Sequence, residues 1–131
     1  MSAYLALIDQ HDEHHAHAIE IVTGLARAHY RQYTTNILII EAHALVMSRL
    51  GAAIGRRFLL DMQHGNTVVV RVRAADEERA REIVFRYGDK DFSLADAISF
   101  VVMERLHIHQ AFTFDQHFAQ YGFSALAPGT L

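Results

Sequence analysis

The sequence predicts an α/β fold, a short parallel sheet with helices on its faces, from three observations. Apolar residues recur at helical spacing along most of the chain, short β-branched or aromatic runs punctuate them, and the two kinds of segment alternate. At 131 residues, 51% of them apolar, the chain supplies a sizeable core for one domain over residues 1–131, and no linker, repeat or low-complexity tract divides it. The absence of cysteine excludes disulfides and thiolate metal sites. No apolar run reaches the ~18 residues of a membrane span, and Met1-Ser2-Ala3-Tyr4-Leu5 lacks the basic flank of a signal peptide, so the expectation is a cytoplasmic protein with no membrane partner. A net charge of -3 means that any nucleic-acid contact rests on a local arginine patch. Such a patch can act because screening confines fields to about 10 Å.

A short helical stretch over residues 4–8 opens the chain. The apolar positions Ala16, Ile19, Val22, Leu25 and Ala26 predict a helix over 12–32. Asn36 is a candidate N-cap for a helix running to Leu50 and stopped by Gly51, although Ile37-Leu38-Ile39-Ile40 leaves strand open at its start. A shorter helix follows over 55–65, then a strand over 67–72. Ala80, Ile83, Val84 and Tyr87 share one face of a helix over 76–87 that ends at Gly88. Ser93-Leu94-Ala95-Asp96 has capping-box spacing, with Asp in place of the favoured Glu or Gln, and opens a helix continuing through Leu106. Strands over 111–114 and 123–126 complete the alternation.

The acids carry more information than the bases. Glu41 interrupts an apolar run, where a buried carboxylate needs a partner or a metal and an exposed one needs nothing. Asp96 sits in a first helical turn, where capping alone favours an acid. Asp115 follows a strand, at the end of the sheet where open α/β folds gather ligands, and is otherwise a turn former. Asp91 is either an acid that supports the others or a solvated loop residue. Together Glu41, Asp96 and Asp115 suggest a carboxylate cage for Mg²⁺ or Mn²⁺, since hard cations take oxygen ligands. A metal so held suits phosphodiester hydrolysis, neutralising the phosphate and activating a water.

At these residues the chain resembles the PIN-domain family, and within it the VapC-like toxin ribonucleases. Asp89-Lys90-Asp91-Phe92-Ser93-Leu94-Ala95-Asp96-Ala97 is similar to the family's stretch around its third acid, and Thr113-Phe114-Asp115-Gln116-His117-Phe118 to that around its fourth. Thr34-Thr35-Asn36 through Glu41 resembles the region of the second acid. The resemblance implies a three-layer sandwich with a short parallel sheet, a metal-dependent endoribonuclease using Glu41, Asp96 and Asp115, an RNA substrate, an antitoxin partner and a homodimer.

One departure stands at the start. The family opens with a central strand ending in Asp, followed by a hydroxyl pair and alanine, and Ser2-Ala3 match only the tail of that motif. The expectation is therefore a misassigned start or a truncated form lacking the central strand and its aspartate, and a protein that is unstable or inactive in this form. The alternative function is a catalytically inactive PIN-like module that binds RNA or protein. A phosphoacceptor domain is rejected, because its lysine should follow a late strand and the only lysine is Lys90, among acids.

His11, His14, His15 and His17 crowd a helix start without the i, i+4 spacing of a zinc motif, and read as an exposed cluster rather than a metal site. His117 reads as structural, although it could touch phosphate. His43, His107 and His109 form no usable pattern, and Asp9 reads as a surface residue. Arg49, Arg56, Arg57, Arg71 and Arg73 are candidates for phosphate contacts, although for any single one ordinary surface charge is the stronger reading.

Overall fold

A computed structural model describes residues 2–129 as helices interleaved with short parallel strands, the class the alternation predicts. Helices α1 (Ser2–Ile8) and α2 (His15–Arg27) come first. The turn between them is folded by two aspartates: Asp9 accepts from the His11 N–H at 3.0 Å and Asp12 from the His14 N–H at 2.8 Å. The helix expected over 12–32 is therefore shorter at both ends. Its exit uses no glycine. His29 takes a left-handed φ of 58°, and the Tyr30 N–H reaches back to the Leu25 carbonyl at 3.0 Å, closing the helix as a glycine would.

Strand β1 (Tyr33–Thr35) runs directly into α3 (Asn36–Leu50), so the apolar run 37–40 is helical. The N-cap is Thr35, whose hydroxyl accepts from the Leu38 N–H at 3.1 Å, and not Asn36 as expected. Asn36 instead accepts from the Val72 N–H at 2.9 Å, taking over where the ladder with β2 (Val68–Val70) ends. This explains why the strand expected over 67–72 has only three residues. Helix α4 (Ala52–His64) begins ahead of its expected start and passes through Gly55. A Cβ there would lie 3.3 Å from His43 Nε2 and from Met47 Cβ, so glycine permits the close approach of α3 and α4.

Helices α5 (Ala74–Arg86) and α6 (Leu94–Arg105) pack together around Ala80, Ile83, Ala97 and Phe100. Asp76 sits inside the first turn of α5 and ties it to α6. It is 4% exposed, accepts from the Arg73 N–H at 2.9 Å, and receives Arg105 Nε at 3.2 Å and Nη2 at 2.8 Å. Burial pushes its carboxyl upward, but the Arg105 hydrogen bonds, the Arg73 N–H and the charges of both arginines outweigh burial and hold it below the usual range. Helix α6 also ends on a histidine, His107 at φ 57°, with the Ile108 N–H bonded to the Met103 carbonyl at 2.9 Å.

Strand β3 (Gln110–Ala111), helix α7 (His117–Tyr121) and strand β4 (Ser124–Ala125) close the chain. Among the described residues the strands form two parallel pairs, β1 with β2 and β3 with β4, rather than one continuous sheet. Phe100, fully buried, lies in an aromatic cluster, with edge contacts to Phe92 and Phe118 at 5.0 Å and a stack on Tyr121 at 4.5 Å. No helix among the described residues is long and apolar enough to cross a membrane.

Candidate active site

The capping box at Ser93 forms as its spacing predicts. Ser93 Oγ accepts from the Asp96 N–H at 3.0 Å, and Asp96 Oδ2 accepts from the Ser93 N–H at 3.1 Å. That fixes the Asp96 carboxylate at the head of α6. Asp115 follows β3 and is held differently, its own N–H donating to Thr113 Oγ1 at 3.3 Å and its Oδ1 accepting from the His117 N–H at 2.9 Å. The two acids meet through His117. Its Nδ1 lies 2.8 Å from Asp96 Oδ2 and 4.0 Å from Asp115 Oδ1.

Asp96, Asp115 and His117 thus each bring one ligand atom within 4.8 Å of the others, all three partly buried. The donor set suits a divalent cation. Asp96 Oδ1 and Asp115 Oδ2 take part in no hydrogen bond among the described residues, so each acid keeps an oxygen free for a hard ion. The 2.8 Å contact between His117 Nδ1 and Asp96 Oδ2 orients both groups, as a carboxylate–histidine pair does beside a metal.

Glu41 and Asp91 do not enter this group. Glu41 is exposed on α3 and Asp91 is exposed in the loop before α6. Of the arginines, Arg57 is bound to Asp61 at 3.1 Å, while Arg49, Arg56, Arg71 and Arg73 are exposed. His117, read from the sequence as structural, is the residue that joins the two acids. Its signal was positional: a histidine two residues beyond Asp115, opening a helix, turns its ring back over the preceding loop.

The other histidines correct a second expectation. Only His11 and His17 of the N-terminal cluster are exposed. His15 Nδ1 lies 2.7 Å from the Ala6 carbonyl, fastening α2 to α1, and His14 stacks on Phe114 with ring centroids 4.5 Å apart. Asp9, expected on the surface, is half-buried in the turn it folds.

Short parallel strands between helices, with aspartates gathered beyond the carboxyl end of β3, define the class: over residues 2–124 the chain matches the PIN domain, and it belongs to that family. Within the family it is similar to VapC toxins. Ribonuclease VapC26 of Mycobacterium tuberculosis is 29% identical over 127 residues, which cover 97% of this chain and 89% of that protein. The 23S rRNA-specific endonuclease VapC20 of the same organism is 31% identical over 102 residues, 72% of each chain. The crystal structure of VapC20, described as a sarcin-ricin loop cleaving toxin, matches with a TM-score of 0.87 and 28% identity over 97% of this chain and 95% of that one.

Proposed function

We propose that this chain is a metal-dependent endoribonuclease, the toxin of a toxin–antitoxin pair, with Asp96 and Asp115 as ligands of Mg²⁺ or Mn²⁺. The observation that carries it is the convergence of two carboxylates from separate elements on one imidazole. The relatives' activities, ribonuclease and 23S rRNA endonuclease, support RNA as the substrate class.

A bound divalent cation supplies neutralisation of the phosphate and a water acidic enough to attack it. The residues do the rest. Asp96 and Asp115 each present an oxygen to the ion, and His117 holds Asp96 in the orientation that makes this possible. Glu41 and Asp91, both exposed and outside the group, would be further acids available to a bound ion or to its waters. Arg71 and Arg73, next to the β2 end, offer phosphate contacts that position RNA without reading its bases. Ile40, Met47, Ile54 and Leu60 expose 40–65% of their surface on α3 and α4, and this apolar side supports an antitoxin or a second copy as partner.

The test is cleavage of ribosomal RNA with Mg²⁺, with Mn²⁺, and with chelator. Cleavage is expected with either ion and none with chelator, and both Asp96→Asn and Asp115→Asn should lower it by about 100-fold or more while remaining folded. Asp91→Asn should have a milder effect. Undiminished cleavage by Asp96→Asn would sink the assignment. A second reading, an inactive RNA- or protein-binding module, is favoured by the place of Glu41 outside the acid group. It predicts RNA binding without cleavage under every metal condition.

A further inference from the structure

Two acids face one ring nitrogen. His117 Nδ1 lies 2.8 Å from Asp96 Oδ2 and 4.0 Å from Asp115 Oδ1. A histidine that only props a carboxylate needs a single acceptor, whereas this nitrogen stands between two. Each of the two oxygens accepts one backbone N–H, from Ser93 and from His117 itself, and keeps a further lone pair. A divalent ion about 2.1 Å from each of its donors sets right-angled donors about 3.0 Å apart and opposed donors about 4.2 Å apart. The separations of 2.8 and 4.0 Å fall close to those two spacings, so Nδ1 is placed as a donor beside both carboxylates and not behind one of them.

The ring is also held in this direction. Its edge packs on Phe92 with centroids 5.9 Å apart, and Phe118, the next residue, is buried in the core. The His117 N–H bonds to Asp115 Oδ1 at 2.9 Å, tying the residue to the second acid through its main chain as well. Swinging the imidazole away from the acids therefore gives up the contact with Phe92 and the bond to Asp96.

We propose that His117 is itself a ligand of the ion, through Nδ1, and that this nitrogen makes the site prefer Mn²⁺ to Mg²⁺. The inference rests on the reading of Asp96 and Asp115 as ligands and adds which ion they hold. Mg²⁺ takes oxygen donors and dehydrates reluctantly, so exchanging one of its waters for a nitrogen gains it little. Mn²⁺ shares that affinity for carboxylates and, as a first-row transition ion, accepts imidazole beside them. With the proton on Nε2, the Nδ1 lone pair is free for the ion. Without the ion the same nitrogen bonds Asp96 and holds it in place; with it the two become neighbouring ligands.

Mn²⁺ is the probe. The 131-residue protein, unlabelled and with ¹⁵N-histidine, is loaded with Mn²⁺ and measured by electron spin echo modulation, which detects a nitrogen bonded to the ion. Mg²⁺ is then titrated in, and released Mn²⁺ is followed by its paramagnetic resonance signal. The unlabelled protein is expected to show ¹⁴N modulation, the labelled one ¹⁵N modulation in its place, and His117→Asn neither. The Mg²⁺ needed to displace half of the Mn²⁺ should fall by about tenfold or more in that variant. Bound Mn²⁺ without a histidine nitrogen signal in the unaltered protein overturns the inference and leaves the carboxylate ligands standing, and it is read without any variant having to fold. Equal Mg²⁺ competition in the two proteins, or a histidine signal that survives His117→Asn, overturns it as well. No bound Mn²⁺ at all overturns both this inference and the metal-dependent reading beneath it.

Discussion

Two apolar regions of this molecule are built from similar side chains and packed to opposite degrees. Around Phe100 the space is full: four aromatic rings of α6, α7 and their loops touch at centroid distances of 4.5–6.1 Å. Around β1 and β3 the walls mix aliphatic residues with Thr34, Thr35, Ser99 and Thr113, and about 630 Å³ between them is open. His117 touches the filled side directly, its ring 5.9 Å from that of Phe92, whereas Glu41 is exposed on α3.

Removing Phe100 tests the filled side most severely. Phe100→Ala should cost about 4 kcal/mol by denaturant unfolding, because the surrounding rings cannot close the hole. Phe112→Ala, at the cleft, should cost only about 1–2 kcal/mol, since that side chain already borders open space. Equal costs would erase the contrast between the regions.

Arg105→Met should destabilise by about 3 kcal/mol, because it leaves the Asp76 carboxylate buried without its partner. The Asp76 carboxyl lies below its ordinary value of 3.8 when folded, so its contribution is complete above that value and is lost as pH falls through the lower folded pKa. Acid titration of the native protein should therefore show a loss of stability below that value that the Arg105→Met variant lacks.

His117→Asn should cut metal-dependent cleavage by about 10–100-fold with little change in melting, as expected when the group that orients a ligand is lost. A variant that cleaves normally would leave Asp96 needing no such support. The smallest effect falls to the N-terminal histidines. Replacing His14, His15 and His17 with alanine should cost about 1–2 kcal/mol, from one hydrogen bond and one ring stack, and leave cleavage intact.

What was legible in the sequence follows how far apart the interacting residues lie. The Ser93–Asp96 capping box spans three residues and could be read from spacing, as could the place of Asp115 after a strand. The bond from His117 to Asp96 spans 21 residues and that from Val72 to Asn36 spans 36, and no local pattern announces either. The helix end at His29 was missed because glycine is the usual sign of a left-handed exit and histidine takes the role here, whereas the end of α6 before His107 falls within a residue of expectation. Glu41 was expected beside the other acids and stands apart from them, because where α3 lies relative to α6 is set by packing that composition and periodicity do not describe.

One atom of Asp96 serves two neighbours at once. Oδ2 accepts from the Ser93 backbone and from the His117 ring, so the start of α6 and the opening of α7 are tied to the same negative charge. Whatever draws electron density from that carboxylate slackens both ties together. The helix start is thereby a gauge of the carboxylate: the Ser93 amide registers each change in the charge that Asp96 carries.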